Sequence, residues 1–322
     1  MNKGYIHVLQ HLSMSTKSSL PIQYILVFKR STSTPTSFTS CTFFVTCDFS
    51  KMATIPPEKA PKPGLNVYGY ASVNPYKVSI LAEELGIPYN YISVDMVTGE
   101  SQSEWYASIN PNSRMPALVH VKEDGASVTV FESAACLLYI ASEFDKEHKI
   151  SYPVGTPEYW TQLSWLSWQV AGFGPMMGQA CFFNRYTTEP VPYSSWRYTS
   201  ECRRLHHVLD KQLSTSPFVG GDRLTVSDIA IFVFAHSSKW CGVDINEFPN
   251  LKAWHDKLAQ RPGFQKGLQV PVAYSFSDEA VSNPDGQDFY NNMRKYGAQM
   301  IKGVTEKWKG DVVQVPSDHA NY

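Results

Sequence analysis

The chain has 322 residues and a formal net charge of -1, with 28 Lys and Arg against 29 Asp and Glu. That length holds two domains, and the near balance of charge excludes a nucleic-acid surface spread over the whole protein. Hydrophobic residues make up 43% and fit an ordinary folded core, no apolar run approaches a membrane span, and the six cysteines show neither C-x-x-C nor zinc spacing, so the expectation is reduced thiols in the cytoplasm and no metal.

Residues 1–63 read as a leader, rich in Ser and Thr up to residue 50 and in Pro from Ile55 to Pro63. It is expected to be disordered or to lie outside the mature fold. The first domain is placed at 64–144. Leu65–Tyr70 alternates as a strand, and Pro75 opens a helix whose Val78, Leu81, Ala82 and Leu85 share one face before Gly86 stops it. Tyr89–Met96 reads as a strand, Gln102–Ile109 as a short helix, Ala117–Val121 and Ser127–Phe131 as a hairpin, and Ser133–Glu143 as a closing helix.

The next segment, 145–157, is charged and then rich in Pro and Gly, and reads as a linker. Residues 158–270 are helical throughout. Tyr198, Cys202, Leu205, Leu209 and Leu213 form one apolar stripe, and Thr225-Val-Ser-Asp228 has the form of a capping box. Residues 271–322 form an extension in which Phe289, Met293, Tyr296, Met300 and Val304 predict one more amphipathic helix.

Two motifs in the first domain bear on chemistry. Met115-Pro116 stands at a strand entry, where proline serves as a turn device, at times in cis. Glu132-Ser133 puts a carboxylate and a hydroxyl at a helix N-terminus, beside unpaired backbone N–H groups. A proline turn and an ordinary N-cap would explain each alone. Together, in this order and spacing, they resemble the glutathione-binding corner of the cytosolic glutathione transferases. The βαβαββα order followed by a helical bundle is that family's plan: an α/β thioredoxin-like domain, then an all-α domain. Trp168–Gln179 and Pro192–Tyr198 are similar to segments of the Nu class and of the fungal nitrogen-regulator-like proteins, and Phe218–Ala230 is similar to the folding motif of the wider family.

The resemblance implies a glutathione transferase that conjugates glutathione, its co-substrate, to a small hydrophobic electrophile. Detoxification or fungal specialised metabolism would suit such an enzyme. Tyr70–Lys77 resembles the Nu-class T-P-N-G-x-K loop, with Ser72 for Thr, Asn74 for Asn, Val73 for Pro and Pro75 for Gly. It implies Asn74 and Ser72 as donors to the glutathione sulfur; capping of the following helix is the alternative. Tyr68 and Tyr70 are weaker candidates. Met115 and Pro116 would pair with the cysteinyl backbone, Arg114 with the glycyl carboxylate, and Glu132 and Ser133 with the γ-glutamyl end. Gln179 and Arg197 match Nu-class positions near the site, part of which comes from a second subunit, so a homodimer is implied. The second substrate needs an apolar wall; of Trp160, Trp165, Trp168, Phe173, Phe182, Phe183 and Tyr186, a stripe more often core than pocket, some are expected to face the cleft between the domains. No cysteine occupies the Ser72–Asn74 loop, so two alternatives remain: Nu-class reduction of a disulfide through glutathione itself, and a non-catalytic regulatory or binding protein on the same fold.

Overall fold

A computed structural model describes residues 54–96, 98–187 and 189–277, two short strands nearer the N-terminus, and helical positions at 291, 294–295, 297–299 and 306. The chain divides into two units, Met1–Ile55 and Pro56–Tyr322. In the first, β1 (Tyr24–Val27) pairs antiparallel with β2 (Thr42–Val45), with Tyr24 opposite Val45. Of the segment expected as a leader, the described residues are these two strands and the stretch from residue 54 on. Pro57–Lys59 forms a single 3₁₀ turn that is fixed to the domain behind it. Tyr68 Oη donates to Lys59 O at 2.8 Å, and Lys59 Nζ reaches Ser93 O at 2.6 Å. The buried Asn66 accepts from Lys62 N–H and donates to Lys62 O and Val119 O. These bonds tie Lys59 and Lys62, both ahead of residue 64, to the sheet.

The domain is built on one mixed sheet. Its strands are β3 (Gly64–Gly69), β4 (Tyr89–Ser93), β5 (Ala117–Val121) and β6 (Ser127–Phe131), in the order β4-β3-β5-β6. β3 runs parallel to β4 and antiparallel to β5, with Val67 opposite both Tyr91 and Leu118. Period-2 alternation sends Leu65 and Val67 to one face and Asn66 and Tyr68 to the other. Leu65 and Val67 join a core shared with α1 (Pro75–Leu85) and α3 (Ser133–Phe144). Tyr68 packs on Trp105 and Tyr106 of α2 (Glu104–Ile109), whose N-cap is Ser103.

The connector after α3 is not a loose tether. Buried Asp145 accepts from the N–H groups of Lys149 and Ile150 and from Ser151 Oγ at 2.7–2.9 Å. Ile150 O then accepts from Val226 N–H. The helical half follows as α4 (Pro157–Trp168), α5 (Gly174–Cys181), α6 (Pro192–Leu213), α7 (Val226–Ala235), α8 (Pro249–Ala259) and α9 (Pro262–Gly267). A π-turn at Gln169–Phe173 joins α4 to α5, and a second, Phe182–Tyr186, follows α5. Every residue of α7 is buried. Its start is fixed by Asp228, which accepts from Thr225 N–H, Thr225 Oγ1, Val219 N–H and Trp254 Nε1 at 2.9–3.1 Å.

The two halves meet along α1. Residues Pro75–Ala82 are all buried, because α3, α7 and α9 cover the helix on different sides. Gly267 of α9 approaches the α1 backbone so closely that a Cβ there would lie 2.6 Å from Ile80 N. Ser79 Oγ donates to Gly267 O at 2.8 Å, and Arg261 pairs with Glu84 at 2.6 Å. The residues chosen for a C-terminal amphipathic stripe, Phe289, Met293, Tyr296, Met300 and Val304, lie outside those described. Among the described residues no helix is long and apolar enough to cross a membrane.

Gly267→Ala is therefore expected to cost about 2–3 kcal/mol of stability, since the added methyl meets backbone and not a movable side chain; chemical denaturation measures this. A second outcome concerns pH. His255 Nδ1 donates to Asp256 Oδ1 at 3.0 Å, and its Nε2 lies 2.8 Å from His236 Nδ1, placed to accept that proton. Burial, with His255 adding to it, pushes His236 down to about 3. Unfolded His titrates near 6.5, so between these values the unfolded chain binds a proton that the native one does not. Stability is full above about pH 6.5 and falls as pH drops toward 3. Near pH 5 the loss from this residue is about 2 kcal/mol, and urea melts of His236→Gln should show a pH dependence shallower by that amount.

Candidate functional site

The loop after β3 carries Ser72 and Asn74 to the start of α1. Asn74 already has helical dihedrals, φ -68 and ψ -38, and its side chain makes no capping bond. An N-cap residue needs extended backbone to turn its side chain onto the first N–H groups. The capping alternative therefore fails at Asn74. Instead Ser72 and Asn74 line a cleft of about 1020 Å³ that also receives Arg114, Met115, Pro116, Glu132, Ser133 and Gln179. Eight of the nine residues singled out in the sequence thus come together. Arg197 does not: it is exposed on α6, 3.8 Å from Glu201. Tyr68 and Tyr70 stay outside the lining, Tyr68 engaged with Lys59 O and Tyr70 hydrogen-bonded to Asp95.

The Met115–Pro116 bond is cis, and its loop is held from beneath. Buried Asn110 donates to Arg114 O at 2.6 Å and accepts from Asn112 N–H at 2.9 Å, while Tyr106 Oη also donates to Arg114 O at 2.8 Å. These bonds fix the backbone and leave the Arg114 side chain exposed at the rim. Across the cleft, Glu132 has φ 71, a conformation unfavourable for a side chain with a Cβ. It turns the chain sharply from β6 into α3. Its carboxylate accepts from Asn112 Nδ2 at 3.2 Å, which links the two loops.

Beneath Ser133 lies a group that sequence reading left without a role. Lys77 of α1 is buried, and its Nζ donates to Ser133 Oγ at 3.1 Å and to Gln169 Oε1 at 2.7 Å. Burial pushes Lys77 down to about 7, with Glu132 and then Cys136 pulling the other way. Gln169 enters from the π-turn between α4 and α5, a kink often found at functional positions. Gly174 makes room for it, since a Cβ there would come within 2.7 Å of Gln169 Nε2. A signal for Lys77 existed: it sits four residues before Leu81, on the apolar face of its helix. Nothing in the sequence marked Gln169 as its partner, or Asn112 as the partner of Glu132.

The other wall comes from the helical half: Met177, Tyr186, Phe234, Trp240 and Phe276. Of the aromatic residues expected there, Tyr186 alone is among the described lining. Phe173 is fully buried, stacked on Trp168, and Trp160 is exposed. The two π-turns rotate successive stretches of this helical run relative to one another, so a stripe drawn at constant helical spacing does not stay on one face. Cys181 lines the cleft, while Cys136 is buried in the core, where burial pushes its thiol well up. Among the described residues no cluster of three or more His, Cys, Asp or Glu could hold a metal ion.

The fold and cleft define a two-domain protein whose thioredoxin-like half presents polar loops to an apolar helical half. Comparison with known proteins agrees. Residues 63–142 match the glutathione S-transferase N-terminal domain and 178–269 the C-terminal domain. The chain is 34% identical over 206 residues to the disulfide-bond oxidoreductase YfcG of Escherichia coli, covering 63% of this chain and 94% of that protein. It resembles the crystal structure of a glutathione transferase homolog from Lodderomyces elongisporus with two glutathione molecules per subunit, at 37% identity and a TM-score of 0.63, over 66% of this chain and all of that one. It also resembles the glutathione transferase URE2P6 of Phanerochaete chrysosporium in complex with oxidized glutathione, at 36% identity and a TM-score of 0.62, over 65% and 96% of the two chains. The chain belongs to the glutathione S-transferase family.

Proposed function

We propose that the cleft binds glutathione and that Asn74 and Ser72 hold its sulfur as a thiolate for transfer to a small hydrophobic electrophile. The observation that carries this reading is the uncapped Asn74 side chain, turned into the cleft at the N-terminus of an 11-residue helix. A free thiol has a pKa of about 8.5. Donors aimed at the sulfur and the positive end of a helix both favour the anion. Arg114 suits the glycyl carboxylate, the Met115 backbone the cysteinyl unit, and Glu132 and Ser133 the γ-glutamyl end. Gln179 lines the same cleft from α5 of the helical half. The electrophile would rest against Phe234, Trp240 and Phe276, so that the nucleophile and the apolar group meet between the two halves. Proton balance is simple: the thiol proton leaves to solvent on binding, and sulfur then displaces the electrophile's leaving group.

A second reading is reduction of a disulfide through glutathione, with no cysteine of the protein in the loop that meets the sulfur. Two facts support it: the name of the E. coli relative and the oxidized glutathione in the P. chrysosporium structure. The cleft also stands at the upper end of the roughly 300–1,000 Å³ usual for small-molecule pockets, which suits a ligand larger than one tripeptide. Arg197 enters either reading through a homodimer, in which it would serve the partner's cleft; its exposure leaves it available. The cytoplasm, with its reduced thiols, is the compartment both readings suit.

The test titrates glutathione by calorimetry and assays both an aromatic halide and a small disulfide as second substrates. Asn74→Ala is expected to lower turnover on the order of 100-fold while changing glutathione affinity little, because its donor acts on the developing thiolate. Glu132→Ala is expected to weaken binding about tenfold, through loss of a charge-assisted contact. The faster of the two reactions assigns transferase or reductase. Glutathione binding with neither reaction would favour a regulatory protein, and absence of binding at millimolar glutathione would remove the reading altogether.

A further inference from the structure

We infer that Lys77 is a positioning residue that orients Ser133 toward the γ-glutamyl carboxylate, and that occupation of this subsite draws a proton onto Lys77. The inference rests on the glutathione reading above and adds a coupling which that reading does not require.

The geometry is that of a buried cation with two neutral acceptors. An ammonium has three N–H donors and no acceptor. Lys77 Nζ spends one donor on Ser133 Oγ at 3.1 Å and another on Gln169 Oε1 at 2.7 Å, and it faces the ring of Phe234 at 5.0 Å. Ser133 Oγ is therefore an acceptor on its Lys77 side. Its own proton is left to point away from Lys77, and Ser133 lines the cleft. A hydroxyl fixed in this way, one residue into α3 beside that helix's free N–H groups, presents a donor to a carboxylate. If Lys77 were neutral, its amine could accept the Ser133 proton and the donor would turn inward.

The charges around Lys77 set the direction of the coupling. From the residue just before α3 and from α3 itself, the titratable groups that act on it are Glu132 and Cys136. The Glu132 carboxylate already accepts from Asn112 Nδ2, and the Cys136 thiol is held neutral by burial. The π-turn supplies the neutral Gln169 amide and α7 supplies Phe234, neither of which titrates. Buried with so little compensation, Lys77 titrates at about 7. A ligand carboxylate arriving at Ser133 adds a negative charge next to it and favours the ammonium form. The folded, unliganded protein then holds fewer protons than the complex above about pH 7. Affinity is full below that pH and declines as pH rises through it.

The experiment uses the full chain and S-methylglutathione, whose blocked sulfur removes the thiol titration. Calorimetry at about pH 7.5 in buffers of different ionisation enthalpy reads the protons taken up on binding. Wild type should take up more than about half a proton beyond any contribution of the ligand's own amine, and its affinity should fall about tenfold or more from pH 6.5 to pH 8.5. Lys77→Met should lose both the uptake and the pH dependence. Gln169→Glu keeps the bridge but gives Lys77 a permanent carboxylate partner. It should also lose the uptake, because Lys77 then stays protonated throughout, and it carries the comparison should Lys77→Met fail to fold. Equal proton uptake in wild type and Gln169→Glu, with the same pH profile, would overturn the coupling while leaving glutathione binding intact. Absence of any binding by wild type would overturn both this inference and the reading it rests on.

Discussion

The burial of α1 on every side is the constraint on which the rest of this structure depends. A helix at a domain surface hides one stripe and shows the other to water. Here eight consecutive residues, Pro75–Ala82, are out of solvent, because the sheet, α3, α7 and α9 all pack around them. Two consequences follow. Any polar group on the helix must find a partner inside the protein, and so Ser79 reaches Gly267 O and Lys77 reaches Ser133 and Gln169. The neighbouring helix must also come close, which requires glycine at 267. The joint between the halves and the base of the cleft are thus parts of a single packing solution.

That solution gives the cleft two unlike walls. On the thioredoxin-like side, polar groups stand on loops whose backbones are fixed by buried side chains: Asn110 and Tyr106 under Arg114, Lys77 under Ser133, and Asn112 across to Glu132. On the helical side the surface is aromatic and thioether. At Glu132 the positive φ holds the backbone against its own preference. Strain of this kind persists only where neighbours over-determine the position, and the Glu132–Asn112 link and the buried Ser133 supply such neighbours.

Much of the fold was legible in the sequence because its signals are local. The strands at Gly64–Gly69 and Ala117–Val121, the proline start and glycine stop of α1, and the Thr225–Asp228 cap all follow from side-chain period and cap chemistry within a few residues. What the sequence left open was decided where distant parts meet. Tyr68 and Asn66 bind the backbone of the Pro-rich lead before Pro63, a link that no local signal records. The sequence did not say which of the aromatic residues from Trp160 to Tyr186 face the cleft; two π-turns divide the run, and Tyr186 joins Phe234 and Trp240 in the wall.

The sequence by itself determined which chemistry this protein has at hand: the Met115-Pro116 and Glu132-Ser133 corner, the Ser72–Asn74 loop without a cysteine, and the order of elements that carries them. These are short motifs, and their meaning survives without knowing what lies across from them. Only the tertiary structure decided how they are used. It turned Asn74 away from capping its own helix, set Lys77 between Ser133 and Gln169, 92 residues further along the chain, and left Arg197 outside the cleft. The physical reason is that burial, hydrogen-bond partnership and field are properties of surroundings. A lysine is an ordinary surface cation until three elements remove its water, and no local pattern records which three will do so.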